Sequence, residues 1–155
     1  MNRTVLLLVL FIFPGMLCAQ SAKLIEEHTL LTNDCKNIRG HSGRIAAEAG
    51  AAAFNHDVAA AHLNEVVKYL QAMEKRLKGT KQLIAPQQLK AVAPRYSSLE
   101  KTCARLKEYS SSLQEEFAKP NPDKAKIKSL ATSLREEMNS GKNVHDLLKR
   151  ELGLK

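Results

Sequence analysis

The sequence predicts an all-α protein: an antiparallel up-down-up-down four-helix bundle that follows a cleaved secretory signal peptide. Three observations predict it. Apolar residues recur in alternating steps of three and four along four long segments, which keeps one stripe of each helix turned toward its neighbours. No segment alternates apolar and polar residues with the period of two that a half-buried strand needs. Capping and turn residues fall between the four segments rather than within them. At 155 residues the chain is long enough for one domain. Its composition excludes collagen, a disulfide-dense mini-protein and a wholly disordered chain.

The first element, residues 1–19, reads as an address. Asn2 and Arg3 precede the apolar run Val5 to Phe13, Pro14-Gly15 break it, and Leu17-Cys18-Ala19 ends in a small residue. That is a basic region, a short apolar region and a cleavage site near Ala19, which predicts a periplasmic or secreted protein. The run is short for a membrane span. Lipid anchoring through Cys18 is disfavoured because Leu17 is large where lipid-modified signals use a small residue. Removal of the leader leaves 23 basic against 16 acidic residues, a net charge of +7.

Residues 20–155 form the predicted bundle, with helices over roughly 22–53, 57–78, 87–118 and 122–152. The first seam reads Leu24, His28, Leu31, Cys35, Ile38, Ser42, Ile45, Ala49, Ala52, and the second His56, Ala59, Leu63, Val66, Leu70, Met73, Leu77. The third is Leu89, Val92, Tyr96, Leu99, Cys103, Leu106, Ser110, Leu113, Phe117. The fourth is Ile127, Ala131, Leu134, Met138, Gly141, His145, Leu148, Leu152. Asn55 or Asp57 suits a cap for the second helix, and Gly79 suits its left-handed C-terminus. Pro86 and Pro122 suit first-turn positions, the latter with Asn121 as cap. Pro94 predicts a kink or a later start of the third helix. Gly40 and Gly43 mark either a bend or a close backbone approach. Short links make sequence neighbours antiparallel.

Enzymatic motifs are missing from the sequence. There is no nucleotide-binding G-x-x-x-x-G-K-S/T loop, no H-E-x-x-H, no C-x-x-C, no covalent-haem C-x-x-C-H and no E-x-x-H of a di-iron bundle. Gly40-His41-Ser42-Gly43 misses the G-x-S-x-G elbow by one place and lies on a helix. The reading is of a protein that is not an enzyme.

Four seam residues depart from a plain apolar core: His28, Cys35, Cys103 and His145. At the helical rise, His28 lies roughly 40 Å and His145 roughly 36 Å from the Ala-rich end formed by residues 46–53 and 59–61. Both point inward, on neighbouring helices, near the end that holds the chain termini. One reading makes them helix-end histidines bonded to a carbonyl or carboxylate. The other makes them a facing pair of neutral imidazole ligands to one iron, with a flat cofactor between the helices. Cys103, Met73 and Met138 fall near roughly 25 Å, and Cys35 near 30 Å. In an oxidising compartment a Cys35–Cys103 disulfide is the default, but their helices are diagonal in a four-helix square. Two buried thiols, or a soft copper site with Met73 or Met138, are the alternatives.

The remaining histidines, His41, His56 and His62, read as solvated or cap-bonding. Lys75, Arg76, Lys78 and Lys81, with Lys124, Lys126 and Lys128, form basic ends. Those ends are either solvated or in weak contact with an anionic envelope surface or an acidic partner protein. Nucleic acid is not an expected partner.

Residues 24–38 (LIEEHTLLTNDCKNI) and 141–150 (GKNVHDLLKR) resemble the first-helix and last-helix segments of the cytochrome b562 family, exported bundles that hold non-covalent haem b. The resemblance implies axial ligation by His28 and His145, with Lys149 at the place of a basic residue close to the haem edge. His28 stands where that family has an axial Met, so the implied ligation is bis-imidazole. The functional expectation is therefore a periplasmic b-type haem protein that transfers electrons to a redox partner protein. The alternative is a cofactor-free envelope bundle that binds or scaffolds other molecules.

Overall fold

A computed structural model describes residues 3–154 of the chain, with side chains from residue 21 onward. Four helices account for nearly all of it: α1 (Arg3–Gly50), α2 (His56–Lys81), α3 (Pro86–Phe117) and α4 (Lys124–Glu151). α1 packs on α2 and α4, and α3 packs on the same two, while no Cα of α1 comes within 8 Å of a Cα of α3. The helices thus form a square whose diagonals are separated by the core. Contacts pair early residues of one helix with late residues of the next, as in Glu27–Arg76, Lys81–Glu100, Arg95–Glu151 and His28–His145. Successive helices therefore run in opposite directions.

The heptad seams are the core. Every seam residue named above from Leu24 to Leu152 is buried, except Ala52, His56 and Leu89, which lie at or beyond helix ends. α1 differs from expectation in starting at Arg3 rather than near residue 22, because nothing around Gln20-Ser21-Ala22 interrupts a helix, and its backbone also continues through Pro14-Gly15. The expected cleavage near Ala19 and the Cys18 thiol lie outside the described side chains. Pro94 sits inside α3 rather than at its start.

Two predicted helix ends are corrected. α2 does not stop at Gly79. It runs on to Lys81 because Thr80 is buried, donating its hydroxyl to the Leu77 carbonyl and accepting from the Tyr96 hydroxyl at 3.1 Å. The only positive φ among the described residues is at Gly153, after α4. α4 is capped by Asp123 rather than Asn121, and Pro122 precedes the cap. The Asp123 carboxylate accepts from the N–H groups of Ala125 and Lys126, while its own N–H donates to Glu116.

The same corner explains three lysines that oppose the α4 dipole. α1 has no basic residue in its last turn. Lys124 donates to the Ala51 carbonyl just beyond α1, and the Lys128 side chain lies beside Gly50, so α4 brings cations to the negative end of α1. Lys119 and Lys126 pair with the buried Glu116 carboxylate, and Lys119 first, then the Asp123 N–H and Lys126, hold its pKa down to about 2. Phe54, His56 and Phe117 close this end, with the His56 ring N–H donating to the Phe117 carbonyl at 3.0 Å.

The close approach expected at Gly40 and Gly43 occurs at Gly141 instead. A Cβ on Gly40 would meet nothing within 4 Å, and one on Gly43 only the Arg135 side chain. A Cβ on Gly141 would lie 2.7 Å from Thr102 Cγ2 and 3.0 Å from Met138 Cε. Thr102 cannot turn away freely, because its hydroxyl donates to Glu137 at 3.0 Å. We expect Gly141→Ala to lose about 1–3 kcal/mol through overpacking, whereas Gly40→Ala gains up to about 1 kcal/mol from helix propensity. Urea denaturation of the two variants against the parent measures both.

Candidate functional site

His28 lies between Leu24 and Leu31 on the inward stripe of α1, and His145 between Gly141 and Leu148 on that of α4. The seam register brings the two rings together, and they are 0% and 1% exposed. His28 Nδ1 and His145 Nε2 are 3.0 Å apart. The ring planes differ by 8° and the centroids are 5.2 Å apart. The centroid separation exceeds the nitrogen separation by about two ring radii, so the nitrogens point at one another along the line of centres. The rings meet edge to edge in nearly one plane rather than face to face.

Burial is the main cause of their electrostatics. It lowers the pKa of His28 to about 4, with the neighbouring His145 and Lys149 adding to the effect. Burial lowers His145 to about 4 as well, opposed by Asp146 and assisted by Lys149 and Lys142. Both rings are therefore neutral at pH 7, and one donates its N–H to the other's lone pair. The outer nitrogens, His28 Nε2 and His145 Nδ1, are buried with no hydrogen-bond partner among the described residues. One of them carries an N–H and the other a lone pair. Buried polar atoms left in this state cost about 1–3 kcal/mol each.

Lys149 is half-buried and close enough for its charge to act on both imidazoles. Cys35 and Cys103 are buried free thiols, so the expected disulfide is not formed. The separation of α1 from α3 explains this, since a disulfide needs Cα atoms within about 7 Å. Burial raises both thiols to about 12, with Asp34 and then Cys103 disfavouring ionisation of Cys35 further and Glu74 that of Cys103.

The basic ends are largely engaged within the fold. Arg76 bridges Glu27 and the buried Asp34, Lys81 pairs with Glu100, and the α4 lysines serve the corner described above. Two features escaped the sequence reading. His41 and His62, expected to be solvated, face each other across the α1–α2 seam with their Nδ1 atoms 3.1 Å apart. A groove between α1 and α4 is lined by Lys36, Arg39, Arg44 and Arg135 around the bare backbones of Gly40 and Gly43. The spacing of the glycines hinted at it, but Arg135 comes from another helix.

Among the described residues no three of His, Cys, Asp and Glu converge to hold a metal ion, and no helix is long and apolar enough to cross a membrane. No protein-family model matches the chain, and comparison with curated proteins and with solved structures finds no match.

An imidazole whose pKa falls on folding binds its proton more tightly in the unfolded chain. Stability conferred by the pair is thus complete above the ordinary value of 6.5 and is lost as pH falls toward about 4. At about 1.4 kcal/mol per unit, the pair accounts for a loss on the order of several kcal/mol. We expect a His28→Leu/His145→Leu double variant to lose this acid sensitivity while keeping its helicity. His28→Leu alone strands His145 Nε2 and costs about 1–3 kcal/mol at pH 7. Urea midpoints at pH 7, 5.5 and 4 test both.

Proposed function

We propose that this chain is an exported four-helix-bundle protein that binds one b-type haem through His28 and His145 and transfers single electrons. The observation that carries the reading is the head-on contact of two buried, neutral imidazoles across the α1–α4 seam, each with a second nitrogen left unpartnered. The resemblance of residues 24–38 and 141–150 to the cytochrome b562 family supports it, and the apolar run before Ala19 supports export.

The residues fit the group in donor type and direction, and in protonation once the ring that donates the shared N–H moves that proton to its outer nitrogen. Only a neutral imidazole offers a lone pair, and burial keeps both rings neutral well below pH 7. The distance fits less closely. Two imidazoles on one metal ion stand about 4 Å apart nitrogen to nitrogen, taking about 2 Å per metal–imidazole bond, against 3.0 Å between His28 and His145. Binding therefore has to part the α1–α4 seam at this end and exchange core packing for contacts with the macrocycle. When bound, a haem would supply reversible one-electron chemistry, and His28 and His145 would hold it. The chain supplies the two donors, exclusion of water, and in Lys149 a cation beside the site.

A cofactor-free binding role is the second reading, and the cationic α1–α4 groove of Lys36, Arg39, Arg44 and Arg135 favours it, through an acidic partner or anionic envelope surface.

Haemin titrated into the purified protein distinguishes them. We expect a sharp Soret band with narrow visible bands on reduction, lost in His28→Ala and in His145→Ala. Because the pair resists protonation to about 4, the spectrum should persist at pH 5.5, where ordinary histidines are largely protonated. No spectral change, or one indifferent to both substitutions, removes the haem reading.

A further inference from the structure

Sulfur is distributed unevenly in this chain. After Cys18 only four residues carry it: Cys35, Met73, Cys103 and Met138. Each lies on a different helix and each is buried, with 0–2% exposure.

Polar contacts around the bundle place all four within about one helical turn of one another. Asp34, beside Cys35, pairs with Arg76, one turn from Met73. Glu74, beside Met73, pairs with Lys107, one turn from Cys103. Thr102, beside Cys103, donates to Glu137, beside Met138. Asn139, on the other side of Met138, accepts from Arg39, one turn from Cys35. The circuit closes: four helices contribute two thiols, on one diagonal, and two thioethers, on the other.

We propose that Cys35, Met73, Cys103 and Met138 form a binding site for one Cu(I) ion in the centre of the bundle, independent of the histidine pair. Soft thiolate and thioether donors select Cu(I), whereas zinc takes thiolate and imidazole and finds little in a thioether. The diagonal that forbids the disulfide still allows a shared ion. Two sulfurs each about 2.3 Å from one metal span about 4.6 Å, more than twice a disulfide bond. A small cleft between α2 and α3, lined by Glu74, Leu77, Lys78, Glu100 and Cys103, leads from solvent to the layer. Both of its carboxylates are paired with lysines, Glu74 with Lys107 and Glu100 with Lys81.

Binding exchanges a thiol proton for the ion. One thiol and Cu(I) give a copper thiolate and a proton released to solvent, and the second thiol and the thioethers complete coordination without adding charge. The centre is then neutral, as an apolar layer requires.

The test uses the reduced full chain under anaerobic conditions, with Cu(I) offered as its complex with a chromogenic chelator. The expected result is one Cu(I) withdrawn per chain, with an ultraviolet copper–thiolate band. Cys35→Ala/Cys103→Ala should abolish withdrawal, and Met73→Leu/Met138→Leu, which keeps volume and helicity, should weaken it at least tenfold. Zn(II) offered in the same way should be held far more weakly. Failure to withdraw copper, unchanged withdrawal by either double variant with native helicity, or equal retention of zinc overturns the proposal.

Discussion

A square of four helices has four seams, and a polar group facing inward can find its partner only across one of them. Each seam here carries such a pair: Asp34 with Arg76 between α1 and α2, Thr80 with Tyr96 between α2 and α3, Thr102 with Glu137 between α3 and α4, and His28 with His145 between α4 and α1. Sliding any helix by one turn would leave the buried members of these pairs, Asp34, Thr80, Tyr96, Thr102 and the two histidines, without their partners, at a cost of about 1–3 kcal/mol per group. Apolar side chains tolerate such slips far better. The polar pairs therefore fix the register, and every other placement, including that of the sulfur layer, follows from it.

The histidine pair differs from the other three. Asp34, Thr80, Thr102 and their partners complete their bonding with few atoms left over. The two imidazoles satisfy one nitrogen each and leave the other without a partner.

Much of this was legible in the sequence, for a definite reason. Positions such as Leu63, Leu99 and Leu134 repeat with the heptad, and a heptad needs no knowledge of the partner helix to declare its buried side. His28 and His145 shared that property, so their meeting could be read from the stripe. Their direct hydrogen bond could not, because it depends on how far apart the α1 and α4 axes lie. Features owed to a second helix were harder still. Gly79 resembles a C-cap until Thr80 is seen bonded to Tyr96. Gly141 looks like any seam residue until Thr102 is found against it, and the α4 lysines look misplaced until the carbonyl end of α1 is beside them. The sequence left disulfide and free thiols open for the same reason: compartment chemistry favoured the bridge and the diagonal placement of its helices opposed it, and the separation of α1 from α3 decides for free thiols.

Burial of Cys35 and Cys103 also shifts a hazard from the finished protein to its making. Once packed, two thiols held near 12 are poor nucleophiles and survive among oxidants. Before packing they are ordinary exposed cysteines that can crosslink chain to chain. Helical bundles rich in local contacts fold in microseconds to milliseconds, whereas thiol oxidation takes seconds to hours. An up-and-down topology thus lets this chain bury its two thiols before oxidation can reach them, and any change that slows collapse leaves the same two atoms open to crosslinking with another chain.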